Sequence, residues 1–331
     1  MKKPVAVIIL NWNGESLLKR FLPSVVSNTP SDIADVIITD NGSTDGSLAW
    51  LRSEYPDLKV LAFDQNLGFA AGYNRAIRET RYPYTLLLNS DVMTPEGWLR
   101  PLYEWALSHP DMGAAMPKIR SVADPEFFEY AGASGGFIDR NGYPFCRGRI
   151  FSTLEKDRGQ YDDPCEVFWA TGAAMLVDTE AYLEAGGLDP EFFAHMEEID
   201  LCWRMLLAGR KNYVVPSSCV YHLGGGSLPA DNPRKTYLNF RNNLLMLHKN
   251  LPDRTRRRKL LRRRLLDSLA WAMFVAKLQF SNAGAILRAH RDFRRMRKSY
   301  TQHPDIDLLE SSPDCRRNIL TSYYLRGRHT F

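Results

Sequence analysis

Acidic side chains stand in this sequence directly after short apolar runs, where a strand would end. Asp40 follows residues 36–39 and opens the run Asp-Asn-Gly-Ser-Thr-Asp, and Asp91 follows the leucines of residues 86–88 in the run Asn-Ser-Asp. A carboxylate in such a place can hold a hard divalent cation that bridges two phosphate groups. Each run also has a plainer interpretation, the first as a turn with a helix cap and the second as an ordinary loop.

A second acidic group lies further along, where Glu197, Glu198 and Asp200 stand within four positions. Three carboxylates so close together are costly unless they are paired or used, because their mutual repulsion raises a carboxylate's pKa. One of them is therefore a candidate general base. The plainer alternative is an acidic helix start, since acids are favourable at the amino end of a helix.

A glycine-rich segment, Asn-Leu-Gly-Phe-Ala-Ala-Gly-Tyr-Asn at residues 66–74, opens a helical pattern. Its small residues would let a ligand approach the backbone, and the free N–H groups of a helix start favour phosphate. The segment is neither a Walker loop nor a Gly-x-Gly-x-x-Gly motif. By itself it does not specify a nucleotide.

Strand and helix patterns alternate along the first half of the chain and would position these groups. Short runs of Val, Ile and Leu predict strands, and apolar residues at helical spacing predict the helices between them. This alternation predicts an α/β fold, a doubly wound, mainly parallel sheet flanked by helices. Ligands of such sheets bind beyond the carboxyl ends of the strands, where both aspartates fall. The runs that predict strands are residues 5–10, 36–39, 60–63, 84–88 and 112–116.

Later parts of the chain give more local signals. Thr94 followed by Pro95 predicts a helix that starts there and runs to about His109. Residues 118–165, rich in Gly, Pro, Asp and aromatic residues, predict irregular structure, and residues 169–177 predict a strand. Further helices are predicted at residues 180–185, 197–208 and 235–247.

Composition excludes several classes of protein. The 331 residues are 44% hydrophobic and 24% charged, which is typical of a folded chain of about two domains. No apolar run reaches the ~18 residues of a membrane-spanning helix, and the amino-terminal run is too short for an export signal. The five cysteines are scattered without a Cys-x-x-Cys pair, which favours reduced thiols in the cytosol over disulfides or a zinc site.

The net charge of +5 hides a strongly basic carboxy-terminal region. Residues 249–300 contain 16 Lys and Arg residues against three acidic residues, and the composition changes near residue 250. Apolar positions at helical spacing among the arginines of residues 286–300 predict helices that lie in an anionic membrane surface. A helical hairpin packed on the rest of the protein is the alternative. A nucleic-acid-binding arm is disfavoured because the region contains no RNA- or DNA-binding motif.

Taken in order, these pieces resemble the family 2 glycosyltransferases with a GT-A fold, particularly the bacterial rhamnosyltransferase-like members. Two further blocks complete the resemblance. Gly-Gly-Leu-Asp and Glu-Glu-Ile-Asp-Leu-Cys-Trp-Arg lie within residues 186–204, and Val-Tyr-His-Leu-Gly-Gly-Gly-Ser surrounds His222. The match covers about residues 4–248.

The resemblance implies a division of the chain. Residues 1–250 would form the GT-A glycosyltransferase domain, with a nucleotide-binding half at about 1–117 and an acceptor-side half at 118–250. Residues 251–331 would form a basic, helical, membrane-associating extension.

The resemblance also implies a donor site. Asp91 and His222 would hold Mg²⁺ or Mn²⁺, and Asn89 stands where the family carries the first acid of its Asp-x-Asp motif. Asp40 would accept the imide N–H of a uracil or thymine base. The residues implied to bind the nucleotide sugar are Asn11, Asp40, Asn66, Gly68, Asn74, Asn89, Asp91 and Ser227.

On the acceptor side, Glu198 matches the family's catalytic base, with Glu197 and Asp200 as alternatives. Trp169 and Gly172 match an acceptor-side segment. Trp169 would stack on a sugar there, whereas the plainer interpretation of an aromatic residue before an apolar strand is a core residue.

The activity implied is an inverting, metal-dependent transfer of a sugar, with rhamnose as one option, from a UDP- or dTDP-sugar. The acceptor would be a hydroxyl of a glycan, most simply a lipid-linked one, in cell-surface polysaccharide synthesis at the inner face of the cytoplasmic membrane. A nucleotidyltransferase on a similar fold is an alternative, although residues 11–19 offer few cations for a triphosphate. A non-catalytic, membrane-associated scaffold or sugar-binding protein is another.

Overall fold

The computed structural model describes residues 3–224 and 232–331. Its strands are β1 Val5–Asn11, β2 Ala34–Asp40, β3 Lys59–Ala62, β4 Tyr84–Leu88, β5 Val92–Met93, β6 Met112–Ser121, β7 Gly136–Ile138, β8 Pro144–Cys146, β9 Arg149–Ile150, β10 Thr153–Leu154, β11 Cys165–Val167, β12 Ala174–Asp178 and β13 Lys211–His222. Its α-helices are α1 Glu15–Asn28, α2 Ser47–Glu54, α3 Phe69–Thr80, α4 Arg100–Ser108, α5 Thr179–Glu184, α6 Glu197–Leu207, α7 Pro233–Asn250, α8 Asp253–Ala276, α9 Phe280–Met296 and α10 Leu308–Ser311.

The large sheet has the order β11-β13-β6-β12-β4-β1-β2-β3. Strands β3, β2, β1 and β4 are parallel, and most Val, Ile and Leu side chains of β1, β2 and β4 are buried because helices cover both faces of the sheet, whereas those of the edge strand β3 are partly exposed. Strand β12 then runs antiparallel between β4 and β6. The expected α/β sheet flanked by helices is confirmed, and the sheet is mixed in direction beyond β4.

Two local predictions are wrong. The chain at Thr94–Pro95 does not start a helix: residues 92–93 form β5, and α4 begins only at Arg100, where Pro101 occupies the first turn. Residues 118–165 are not irregular throughout, because β7 to β10 form a second, four-stranded antiparallel sheet within them. These strands are only two or three residues long, too short for an alternating pattern to show in the sequence.

The carboxy-terminal helices pack against α7. Thr236 bonds to Asn282 of α9 at 2.8 Å, and the Tyr237 hydroxyl donates to Asp292 at 2.9 Å. In α8, the buried Arg263 donates to Asn243 of α7 at 2.6 Å. These contacts agree with the second interpretation of the basic carboxy-terminal region, a helical hairpin packed on the rest of the protein. Among the described residues, no helix combines the length and the apolar composition that a membrane span requires.

Candidate active site

The first two strands end in a bonded pair of side chains. Asn11 and Asp40 are register partners at the ends of β1 and β2, and the Asn11 amide donates to Asp40 at 3.0 Å. The other Asp40 oxygen accepts from the Ser43 backbone N–H at 2.9 Å, and Asp40 is fully buried. The side-chain amide oxygen of Asn11, Oδ1, is buried and has no hydrogen-bond partner in the described part of the chain. Contact of this pair with a nucleobase stays a prediction.

The glycine-rich segment is tied to the end of β2 by Asn41, a residue that the sequence analysis missed. The Asn41 amide donates to Asn66 at 3.0 Å and to the Gly68 carbonyl at 3.1 Å, and its oxygen accepts from the Leu67 N–H at 3.0 Å. Gly68 has φ +80°, and the space where a Cβ would stand is open. The loop therefore presents bare backbone at the start of α3, next to the strand ends.

Asn74 is placed differently from its predicted role. Its amide donates to the Leu188 carbonyl at 2.7 Å, and its oxygen accepts from the Tyr182 hydroxyl at 2.6 Å and the Leu188 N–H at 3.0 Å. These bonds fasten α3 to α5 and to the turn that follows α5. The observed contacts of Asn74 are internal, and a contact with nucleotide stays a prediction.

Asp91 and His222 lie together although 131 positions separate them. The reason is the short strand β5, which pairs with the end of β13 so that His222 stands opposite Val92. His222 Nε2 is 3.1 Å from an Asp91 carboxylate oxygen, and the Asn89 amide is 3.5 Å from the same nitrogen. All three predicted residues therefore meet at one point beyond the strand ends.

Glu129 completes this group and was missed, because it lies in the segment predicted to be irregular. Its carboxylate is 3.0 Å from His222 Nδ1. Burial lowers the pKa of His222, but Asp91 and Glu129 outweigh burial and raise that pKa to about 10. Gly224 has φ +64°, and a Cβ there would collide with the Glu129 carboxylate, which explains why the chain turns on a glycine.

The donor set fits a divalent cation, which would take the place of the proton that Asp91 and Glu129 favour on His222. An aspartate oxygen and an imidazole nitrogen face each other, and a second carboxylate lies 3.0 Å from the other imidazole nitrogen, the place that outer carboxylates take beside metal-binding histidines. Within residues 3–224 and 232–331, no three His, Cys, Asp or Glu side chains form a complete cage for a metal ion. Magnesium commonly takes one or two protein ligands and completes its shell with water and substrate phosphates. Ser227, predicted to contact the diphosphate, lies outside the described residues.

The acidic cluster opens α6. Burial raises the pKa of Glu198 to about 7, and burial with the charge of Glu198 raises the pKa of Glu197 well above its ordinary value. Each has a carboxylate oxygen without a hydrogen-bond partner in the described part of the chain. A half-buried carboxylate with a pKa near neutrality and a free oxygen suits a general base.

Asp200, the other alternative base, is a structural residue. It is fully buried, and its oxygens bind Arg204 at 2.8 Å, Lys249 at 2.9 Å and Asn250 at 2.8 Å. Burial raises the pKa of Asp200, but Arg204 and Lys249 outweigh burial and lower it. This carboxylate anchors α6 to α7 and faces no open space.

Gly172 lies between Glu198 and the rest of the site. A Cβ at Gly172 would lie 3.7 Å from the Glu198 Cβ and 3.7 Å from the ring of Phe69, the residue after Gly68. The next residue, Ala173, accepts a hydrogen bond from the Asn89 N–H at 3.0 Å. The glycine-rich loop, the Asn89–Asp91 turn and Glu198 therefore border one region.

Trp169 corrects an expectation. The structure places it in the core instead of on an acceptor surface: it is 3% exposed, and its indole N–H donates to the Phe137 carbonyl at 2.9 Å. Its ring packs on Gly136, where a Cβ would overlap it. An indole so enclosed has no free face for a sugar.

The turn before α6 is strained. Phe193, His195 and Met196 all have positive φ, which costs non-glycine residues energy and is held only where neighbours enforce it. Asn242 of α7 enforces it, because its amide nitrogen lies 2.9, 2.8 and 2.7 Å from the carbonyls of Phe192, Ala194 and His195. Nothing in the spacing of the sequence indicated this contact.

Comparison with known proteins agrees with this architecture. The family model described as Glycosyl transferase family 2 matches residues 6–176. An N-acetylglucosaminyl-diphospho-decaprenol L-rhamnosyltransferase of Mycobacterium tuberculosis is 29% identical over 240 residues, covering 67% of this chain and 76% of its own. Rhamnosyltransferase WbbL of Escherichia coli is 25% identical over 224 residues, covering 66% of this chain and 83% of its own.

Solved structures share the fold. GalNAc-T7 with UDP, GalNAc and Mn²⁺ aligns with a TM-score of 0.60 at 17% identity, over 76% of this chain and about half, 48%, of that one. The mannosyltransferase PcManGT of Pyrobaculum calidifontis, in complex with GDP-Man and Mn²⁺, aligns with a TM-score of 0.53 at 16% identity, over 90% of this chain and 84% of its own.

Proposed function

This chain belongs to glycosyl transferase family 2, and we propose that it moves a sugar from a UDP- or dTDP-sugar to a hydroxyl of a lipid-linked glycan, inverting the anomeric centre. The name of the mycobacterial relative, a rhamnosyltransferase acting on a diphospho-decaprenol, supports rhamnose as the sugar and a lipid diphosphate as the acceptor's carrier. Membership of the family argues against the two alternative functions, a nucleotidyltransferase and a non-catalytic scaffold or sugar-binding protein.

The observation that carries the proposal is the meeting of Asp91 with His222 beside the region bordered by Glu198. In the transfer, the bond between the anomeric carbon and the diphosphate breaks, so negative charge grows on the leaving group. A bound Mg²⁺ or Mn²⁺, held by Asp91 and His222, would supply Lewis-acid stabilisation of that charge. Neighbours with Mn²⁺ and nucleotide or nucleotide sugar support this assignment.

Glu198 has the role of general base. Its free carboxylate oxygen takes the proton of the acceptor hydroxyl. At the same time the hydroxyl oxygen of the acceptor attacks the anomeric carbon from the face opposite the diphosphate. One displacement of this kind inverts the centre and needs no covalent enzyme intermediate. Asn11 and Asp40 would bind the base and ribose of the donor, with Asn66 and the bare backbone at Gly68 beside the diphosphate.

We also propose peripheral attachment of residues 251–331 to the inner face of the cytoplasmic membrane, with residues 1–250 as the catalytic domain. One side of α8 supports this, because its apolar side chains repeat every four residues and are 49–64% exposed. Basic side chains flank them, as in helices that lie in a lipid interface. We call this surface the α8 stripe; its members are Leu261, Leu265, Leu269 and Met273.

The function is tested with the full chain, a panel of UDP- and dTDP-sugars including dTDP-rhamnose, Mn²⁺, and a lipid-diphosphate-linked N-acetylglucosamine acceptor. We expect nucleoside diphosphate release that depends on acceptor, and a product whose mass is increased by one sugar. Asp91→Asn, or excess chelator, should lower turnover at least a hundredfold and abolish Mn²⁺ binding in calorimetry with nucleotide present.

The matched control is Asp57→Asn, which removes an exposed carboxylate just before the start of β3, at the end of that strand opposite to the site, and should leave turnover unchanged. Undiminished turnover of Asp91→Asn in chelator would show that the metal assignment is wrong. Absence of release with every donor would refute the proposed substrates.

A further inference from the structure

A basic groove lies between α7, α8 and α9. Its volume is about 540 Å³, within the ~300–1,000 Å³ typical of small-molecule sites. Five arginines line it from two of the helices: Arg256, Arg257 and Arg264 from α8, and Arg294 and Arg297 from α9 or its end. This groove is separate from the Asp91–His222 group and has no part in the chemistry described above.

Most of this positive charge is not neutralised within the protein. Asp253 pairs with Arg256, but in the described part of the chain no carboxylate lies within 4 Å of Arg257, Arg264, Arg294 or Arg297. Four guanidinium groups in one concave surface repel each other unless an anion joins them. Arginine is the side chain best suited to bind phosphate, because one guanidinium group can donate hydrogen bonds to two phosphate oxygens at once.

Two buried polar atoms of the groove also lack hydrogen-bond partners among the described residues. Arg256 Nη1 is buried and donates to nothing in the described part of the chain, a costly state for a guanidinium N–H. Next to it, burial together with the charge of Arg256 lowers the pKa of His248 to about 4, so this imidazole is neutral and its Nδ1 is unpartnered too. His248 Nε2 lies 3.1 Å from the Arg297 carbonyl and donates to it, so the donor in the groove that awaits an acceptor is the buried Arg256 N–H.

The groove is apolar on one side and continuous with the α8 stripe. Leu244, Leu260 and Phe293 line it together with the arginines, and Leu261 is both a lining residue and the first member of the stripe. An anion seated among the arginines would therefore have hydrocarbon-binding surface directly beside it. A phosphate-bearing lipid headgroup has this combination, whereas a soluble polyanion has no use for the exposed leucines.

We infer that this groove binds the phosphate of a membrane lipid headgroup, with the α8 stripe seated among the acyl chains. The inference deepens the proposed function and rests on it, because it names the lipid chemistry that the carboxy-terminal region recognises. The same phosphate chemistry is offered by a lipid-diphosphate acceptor and by bulk anionic phospholipid.

The test is co-sedimentation of the full chain with vesicles of phosphatidylcholine alone, with phosphatidylglycerol, or with a polyprenyl diphosphate at equal surface charge. The variant is Arg264→Gln with Arg294→Gln, two exposed residues whose loss should not unfold the helices. The control is Arg254→Gln with Arg288→Gln, which removes the same charge from exposed positions outside the groove. Thermal melts check that all forms are folded.

We expect the groove variant to bind phosphate-bearing vesicles at least tenfold more weakly than wild type, and the control variant at most threefold more weakly. A loss specific to polyprenyl diphosphate assigns the groove to the acceptor carrier, and an equal loss on both lipids assigns it to headgroup phosphate in general. Equal losses in groove and control variants would overturn the inference, since only total charge would then matter.

A transfer assay with a soluble acceptor separates the two proposals. Groove variants should keep full turnover there. If no donor is used by any form while vesicle binding still depends on the groove, the substrate proposal fails and the lipid site stands.

Discussion

At the scale of single residues, the site depends on carboxylates in contrasting surroundings. Asp200 is satisfied by two cations and an amide, whereas Glu198, two positions before it, has a free oxygen and a pKa raised by burial to about 7. A carboxylate kept unsatisfied in a partly buried place destabilises the folded state and is typical of functional sites. This contrast favours Glu198, or Glu197 beside it, over Asp200 as the base.

Replacing the base should separate activity from stability. Glu198→Gln should lower kcat by about 10²- to 10⁴-fold, and the wild-type kcat/KM should rise with pH and level off above about pH 7, because the carboxylate must be ionised. The pKa is raised in the folded state from 4.5 to about 7, so the Glu198 carboxyl group costs the wild type stability as the pH rises from about 4.5 to about 7, and the loss is complete above that. The variant should therefore be more stable than wild type at pH 8, by about 1 kcal/mol, and not at pH 5.

The measurements are a pH–rate profile and thermal melts at both pH values. Glu180→Gln, on an exposed turn of α5, is the matched control and should change neither the pH–rate profile nor the melting temperatures. A wild-type profile that is flat between pH 5 and 9 would speak against Glu198 as the base.

At the scale of elements, short pieces of structure aim the reactive groups. Strand β5 has only two residues, yet its pairing with β13 brings His222 to Asp91. Helix α7 contributes no predicted site residue, yet its Asn242 holds the strained turn from which α6 and Glu198 begin. We therefore assign Asn242 as a positioning residue.

Asn242→Ala should release the turn before α6. Because the Ala194 and His195 carbonyls lose their side-chain donor and three residues with positive φ can relax, we expect kcat to fall about 10- to 100-fold with little change in the KM of the nucleotide sugar. The apparent pKa of the pH–rate profile should also move away from about 7 towards an ordinary carboxyl value, as Glu198 loses its enclosure.

The control is Asn243→Ala on the same helix, which removes a buried amide that donates to the Gly142 carbonyl at 2.6 Å and to no part of that turn. We expect Asn243→Ala and Asn242→Ala to lower the free energy of unfolding by similar amounts, about 1–3 kcal/mol, but Asn243→Ala should not move the pH–rate profile. If both variants move the profile alike, Asn242 has only a structural role.

At the scale of the whole molecule, charge and apolar surface are concentrated in one region. Residues 249–300 carry 16 Lys and Arg residues against three acids in a chain whose net charge is only +5, so the remainder is net negative. The α8 stripe lies within this basic region. The basic charge and the α8 stripe would therefore both turn the same side of the molecule towards an anionic membrane.

Removing the stripe should weaken this attachment without affecting chemistry. Leu265→Gln with Leu269→Gln should reduce binding to anionic vesicles at least tenfold, because buried leucines contribute about 1.5–3 kcal/mol each when fully removed from water. Turnover with a soluble acceptor should stay at the wild-type level, since both side chains are 64% exposed and support no other contact in the core.

The matched control is Leu107→Gln with Leu183→Gln, two exposed leucines on α4 and α5. Vesicle binding that survives loss of the stripe but not added salt would mean that charge alone attaches the protein.

The sequence was sufficient to predict the strand–helix alternation and to single out Asp40, Asp91 and Glu198, because apolar periodicity and the polar residues that end each run are local properties. It also indicated the basic, amphipathic carboxy-terminal region. Local patterns could not reveal the four-stranded sheet of β7 to β10, because its strands are too short to show a period.

Folding of the chain fixes which residues meet. It brought Glu129 to His222, Asn41 to the glycine-rich loop and Asn242 to the turn before α6, and it buried Trp169 and neutralised Asp200. These contacts join residues from 25 to 93 positions apart, and others in the site are longer. Such pairings are fixed by strand order and helix packing, which one sequence does not display in its spacing.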